Sequence, residues 1–112
     1  MKLQTRSSNN VQILELAGRF DAYEEPPVRQ WLDKSSNGSP AHVVVDLAKV
    51  HFIDSTALST LVQGMKHCRE KNGDLHLCNL QQPVQIIFEL TRLDKAFDIF
   101  PTETEAIAAF NN

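Results

Sequence analysis

No apolar run in the chain approaches the roughly 20 residues that a membrane-spanning helix needs, and the opening residues Met1-Lys2-Leu3-Gln4 carry no signal-peptide core. The expected compartment is therefore the cytoplasm, with no membrane partner. A basic block and aromatic-basic interleaving are also missing. The net charge is −3 with acids and bases interspersed, which argues against nucleic acid as a direct partner. The four glycines stand isolated, so neither a phosphate-cradling Walker loop nor a dinucleotide fingerprint can be drawn. Cysteine is scarce: Cys68 and Cys78 belong to no Cys-x-x-Cys pair and read as buried, reduced thiols. His42, His51, His67 and His76 are scattered singly, so no metal is expected.

What is present suits one globular domain spanning residues 1–112. At 42% apolar and 22% charged, the composition excludes disordered and collagen-like classes, and the length suffices for a core without staples. The chain is organised around Phe52-Ile53-Asp54-Ser55-Thr56-Ala57-Leu58. An apolar run passes through small polar residues into a helix whose core face is Leu58, Leu61, Val62, Met65 and Cys68, at three- and four-residue steps. Asp54 or Ser55 is the N-cap, since either side-chain oxygen can accept from a first-turn amide. Negative charge is tolerated at that end of the helix dipole, so Ser55 could carry a phosphate without unfolding the chain.

Around that stretch the pattern predicts an N-terminal hairpin, with a short strand over Leu3–Arg6, a turn at Ser7-Ser8-Asn9-Asn10, and a strand over Val11–Leu16 that Gly18 ends. Gly18–Ala22 is then a loop. A helix follows from Glu24-Glu25-Pro26-Pro27, where acids and prolines suit a first turn, with Val28, Trp31 and Leu32 on its core face. Lys34–Pro40 reads as a loop and His42–Leu47 as a central strand, apolar on both faces. Ala48-Lys49 is expected to turn the chain into Val50–Ile53. The long helix stops at Lys71-Asn72-Gly73. A strand over Leu75–Leu80 comes next, then a helix opened by Pro83 with Val84, Ile87, Phe88 and Leu90 inward. Phe97–Phe100 forms a last strand, and Thr102–Glu105 a capping box before a final helix. The predicted order is ββαβαβαβα: an α/β fold with a mixed central sheet of four to five strands and about four helices.

Ser55 lacks a G-x-S-x-G elbow, although Asp21, His51 and Ser55 could in principle form a hydrolytic triad. Asp46 closes a buried strand, but no acidic pair or late lysine accompanies it as a phosphoaspartate receiver requires, and strand-end solvation is the preferred reading. Asp21 could simply brace its loop as an Asx-turn. Ser59 and Thr60 read as surface hydroxyls, and Thr56 as first-turn filler or an alternative phosphate acceptor.

Val43-Val44-Val45-Asp46-Leu47, a short connector and Phe52–Leu58 together resemble the core signature of the STAS domain, in particular the stand-alone anti-sigma factor antagonists. Leu16-Ala17-Gly18-Arg19-Phe20-Asp21, Leu75–Cys78 and the segment from Pro83 to Leu93 extend the resemblance over nearly the whole chain. It implies a single STAS domain that is not an enzyme and takes no cofactor. Its partner would be an anti-sigma factor that is also a serine kinase. That partner would bind the unmodified chain and release it once Ser55 is phosphorylated, and a serine phosphatase would reset the switch. Asp21, Asp54, Ser55 and Thr56 would face the partner. Ala57 departs from the glycine that many members carry, and Pro26-Pro27 is an unusual helix start. Two other readings remain: a constitutive interaction module in which Ser55 is never phosphorylated, and a small serine hydrolase.

Overall fold

A computed structural model describes residues 1–111. Asn9 and Asn10 both adopt positive φ, 52° and 65°, the geometry of a two-residue hairpin turn that follows the twist of its strands. That turn folds β1 (Lys2–Ser8) antiparallel onto β2 (Val11–Phe20). Three further strands, β3 (His42–Ile53), β4 (Asp74–Cys78) and β5 (Asp98–Phe100), continue the sheet in parallel and in chain order. The crossovers are α1 (Glu25–Ser35), α2 (Ser55–Glu70) and α3 (Gln82–Leu90). Each steps one strand in the same direction, so right-handed connection puts all three on one face. There Leu14, Leu16, Val43, Val45, Leu75 and Leu77 meet Val28, Leu32, Leu61, Met65 and Phe88 in the main core. The other face carries a smaller apolar patch, Val11, Ile13, Val44 and Cys78. It is covered by Ala106 and Ile107 of α4 (Glu103–Ala108) and by Phe110 just beyond. The expected order and the mixed five-stranded sheet are present.

The elements differ from expectation in ways that share a cause. The hairpin turn needs only Asn9-Asn10, so β1 runs on through Ser7 and Ser8. Gly18 does not end β2; at φ 114° it accommodates a one-residue register shift, and the strand continues to Phe20. Ala48-Lys49 is not a turn either, because β3 is unbroken from His42 to Ile53. Between Glu15↔Asp46 and Ala17↔Lys49, and again between Gly18↔Val50 and Arg19↔Phe52, β3 advances one residue more than β2, so it bulges twice. Asp46 is buried within the strand rather than solvated at its end. One of its carboxylate oxygens accepts the Ala48 amide at 2.9 Å inside the first bulge, and the other accepts from Asn79 Nδ2 at 3.2 Å. Leu90, assigned inward from its spacing, is 76% exposed on the last turn of α3. Trp31 is only partly buried at the core margin. Thr60 is buried, not on the surface. Its hydroxyl donates to the Glu25 carboxylate, which also pairs with Arg29 at 3.4 Å and so ties α1 to α2.

The end of α2 shows how tightly the crossover is made. Asn72 takes the left-handed conformation at φ 63°, while the Gly73 amide donates back to Cys68 O at 2.9 Å and the Asn72 amide to Arg69 O at 3.3 Å. Gly73 then passes so close to Ala41 that a Cβ would overlap that residue's backbone carbonyl. Gly73→Ala is expected to lower stability by about 3 kcal/mol or more, because neither backbone can give way, measured as a fall in urea midpoint.

Both cysteines are free and buried, as expected. Burial, assisted by the negative charge of Asp74, pushes the Cys68 thiol up to about 11. Burial and then Asp46, opposed by Arg6, push Cys78 up to about 12. Between about pH 9 and those values the unfolded thiols release protons that the folded ones keep, so native stability falls as pH rises through that window. Urea midpoints at about pH 8 and about pH 10.5 test this, and a Cys68→Ala, Cys78→Ala variant should show a smaller drop.

Candidate functional site

Asp54 follows β3 with extended backbone, φ −111° and ψ 179°, and is the N-cap of α2. Its carboxylate accepts two amides from different parts of the chain. Oδ1 takes the Ala57 N–H at 2.9 Å, and Oδ2 takes the Ala22 N–H at 2.9 Å from the loop after β2. Its own amide donates to Phe20 O at 3.3 Å, and its carbonyl accepts the first helical bond from Leu58 at 3.0 Å. The sequence leaves the cap open between Asp54 and Ser55; the structure assigns it to Asp54. Ser55 thereby becomes the first helical residue. It is exposed, and among the described residues no hydrogen bond engages its hydroxyl. Thr56, also exposed, follows in the same turn.

The Asp54–Ala22 bond brings the Asp21 loop against the helix start. Asp21 Oδ1 accepts the amides of Tyr23 and Glu24, both at 3.1 Å, which is the Asx-turn that its position after Gly18 allows. Its Oδ2 lies 3.5 Å from Arg19 Nε, and the Arg19 guanidinium stacks 3.9 Å over the Phe52 ring. Asp21, Asp54, Ser55 and Thr56 therefore lie on one continuous rim formed by the β2–α1 loop and the start of α2. Two neighbours have no signature in the sequence. Tyr23 is 93% exposed in the loop after β2, and Phe52 is partly exposed under Arg19. The only signal for either is a bulky aromatic next to a polar loop, and such residues are more often buried. Ala57 is wholly buried beneath the rim. Pro26 and Pro27 occupy the first turn of α1, where a missing amide leaves no helical bond unmade.

The hydrolytic triad is not assembled. Asp21 directs its carboxylate to its own loop and to Arg19, and among the described residues no hydrogen bond joins Asp21, His51 and Ser55. The arrangement is that of a small α/β module displaying a serine on a firmly capped helix start. The model of the STAS domain family matches residues 2–106, and the chain belongs to that family. The anti-sigma-B factor antagonist of Bacillus subtilis (strain 168) is 30% identical over 94 residues, covering 84% of this chain and 84% of that protein. An anti-sigma-factor antagonist (STAS) domain protein from Planctomyces limnophilus superposes with a TM-score of 0.90 at 22% identity, over 98% of each chain. The Bacillus cell fate determinant SpoIIAA, solved in its phosphorylated form, superposes with a TM-score of 0.73 at 18% identity, over 96% of this chain and 98% of that one. No helix among the described residues is long and apolar enough to cross a membrane.

Replacing Asp54 by Ala removes a cap and a loop tether together. The expected loss is about 1–2 kcal/mol of stability, with faster hydrogen exchange at the Ala22 and Ala57 amides than elsewhere in α1 and α2.

Proposed function

We propose that this protein is an anti-sigma factor antagonist switched by phosphorylation of Ser55. Unmodified, it binds an anti-sigma factor that is also a serine kinase; phosphorylated, it lets go, and a serine phosphatase restores it. Such a circuit runs in the cytoplasm, and the nucleotide belongs to the kinase. The observation that carries this reading is the division of labour at the helix start. Asp54 makes the structural bonds, leaving the Ser55 hydroxyl exposed and unengaged. A serine needed as the cap would lose its structural role on modification; this one has none to lose.

The energetics give the switch its sign. A phosphoserine adds about −1.5 to −2 charges near neutral pH. On Ser55 it would meet the unpaired first-turn amides and positive dipole of α2, a gain of roughly 0.3–1 kcal/mol, so the fold persists. In a docked complex the same charge sits beside the Asp54 carboxylate and has to be desolvated, which can cost several kcal/mol, where about 1.4 kcal/mol is tenfold in affinity. Tyr23, Phe52 and Arg19 on the same rim supply the aromatic and guanidinium contacts that anchor protein interfaces. The relative from Bacillus subtilis is named an anti-sigma-B factor antagonist, and a protein of this fold has been solved in phosphorylated form; both support the reading.

The test is intact-mass and peptide mapping of the protein from its own cells beside Ser55→Ala, with co-purifying proteins identified. One phosphate on Ser55, absent from the variant, and a retained ATP-binding kinase partner are expected. Ser55→Asp should bind that partner at least tenfold more weakly than Ser55→Ala while melting within a few degrees of the unmodified protein. Equal binding by the two variants, or no phosphate with any candidate kinase, would overturn the switch.

A further inference from the structure

On the sheet face away from α1, α2 and α3, the pairing of β4 with β5 sets His76 opposite Asp98, with Asp74 two residues earlier on the same face. His76 is 4% exposed and its ring is held on three sides. It stacks on Phe110 with centroids 3.8 Å apart and planes 3° from parallel, and it abuts Phe100 at 4.9 Å. Its Nδ1 lies 2.9 Å from the carbonyl oxygen of Ala106 in α4. A carbonyl only accepts, so Nδ1 carries the proton of the neutral ring and Nε2 presents a lone pair.

That lone pair points at two carboxylates. Nε2 is 3.8 Å from Asp74 Oδ2 and 3.8 Å from Asp98 Oδ2, too far for a hydrogen bond to either, and a carboxylate has none to donate. Asp74 is oriented by its other oxygen, which accepts the Leu75 amide at 2.8 Å and Arg69 Nε at 2.9 Å, leaving Oδ2 toward His76. Three acceptors thus converge within 4.8 Å with no donor among them. A cation held between them satisfies all three at once. A buried imidazole fixed through one nitrogen by a backbone carbonyl, with the other nitrogen free, is how metal-ligating histidines are usually held.

We propose that Asp74, His76 and Asp98 form a site for a divalent transition-metal ion, Zn²⁺ by ligand type. Two carboxylate oxygens and one imidazole nitrogen leave the fourth tetrahedral position to water. Bond lengths of about 2.0–2.1 Å place neighbouring ligands about 3.3–3.4 Å apart, so each nitrogen–oxygen separation closes by roughly half an ångström on binding. Asp98, whose side chain is 63% exposed, has the freedom to supply that movement. The ion joins β4 to the three-residue edge strand β5 and, through His76 and the Ala106 carbonyl, holds α4 to the sheet. It lies on the face opposite α2, so its occupancy is separable from any event at Ser55.

The experiment titrates ZnCl2 into the chelator-treated full chain by calorimetry, with the His76 ring followed by NMR. One equivalent should bind, with shifts centred on the His76 ring, and the melting temperature should rise by about 4–8 °C at free Zn²⁺ about ten times the dissociation constant. Asp98→Asn, at an exposed position that leaves the metal-free fold intact, should weaken binding at least tenfold. No saturable binding, binding unchanged in Asp98→Asn, or saturation with the His76 ring unperturbed would each overturn the site.

Discussion

The two oxygens of Asp54 hold together parts of the chain that are distant in sequence. One caps α2 and the other captures the Ala22 amide, each at 2.9 Å, so a single carboxylate sets the angle at which the β2–α1 loop meets the helix. Both partners are backbone donors, one at the helix start and one in the loop after β2, which is why one small acidic side chain has so much influence. The exposure of Ser55 follows from it. Because Asp54 is the cap, the next residue is carried into the first helical turn with its hydroxyl outward.

Asp54 reaches that position through irregularity in β3. A regular strand of that length would keep strict alternation, yet Val50 and Ile53 both face the main core three residues apart. The second bulge, at His51, absorbs the extra residue. The first is stabilised by Asp46, whose buried carboxylate serves the Ala48 amide and Asn79. Both aspartates of this segment thus act as acceptors for backbone amides, one where the strand bulges and one where it ends. The smaller core under α4 is built differently, around aromatic stacking of Phe110 between His42 and His76. Burial lowers the tendency of His42 to hold a proton, partly opposed by the negative charge of Asp74.

Much of this was legible in the chain. The inward face of α2, the left-handed stop at Asn72 and the Thr102 cap, whose hydroxyl accepts the Glu105 amide at 3.2 Å, follow from local rules. So did the order of elements and the place of Ser55 at a helix start. The misreadings sit where a local signal was overruled by a neighbour across the sheet. Gly18 looks like a stop but is a pivot within a strand, and Ala48-Lys49 looks like a turn but is held in β3 by pairing with β2. Leu90 fits an inward spacing, yet α3 ends before the core reaches it. Thr60 reads as a surface hydroxyl because its partner, Glu25, lies on another helix.

Periodicity, turn residues and caps depend on neighbours within about four positions, and these are what the sequence by itself determined: the elements, their order, which helix faces turn inward, and a serine at the start of α2. Contacts between residues far apart in the chain are invisible to such rules, and tertiary structure alone decided them. It chose Asp54 over Ser55 as the cap by offering it a second amide from Ala22. It also brought Asp98 to Asp74 and His76, some twenty residues earlier in the chain, by laying β5 beside β4 in one particular register.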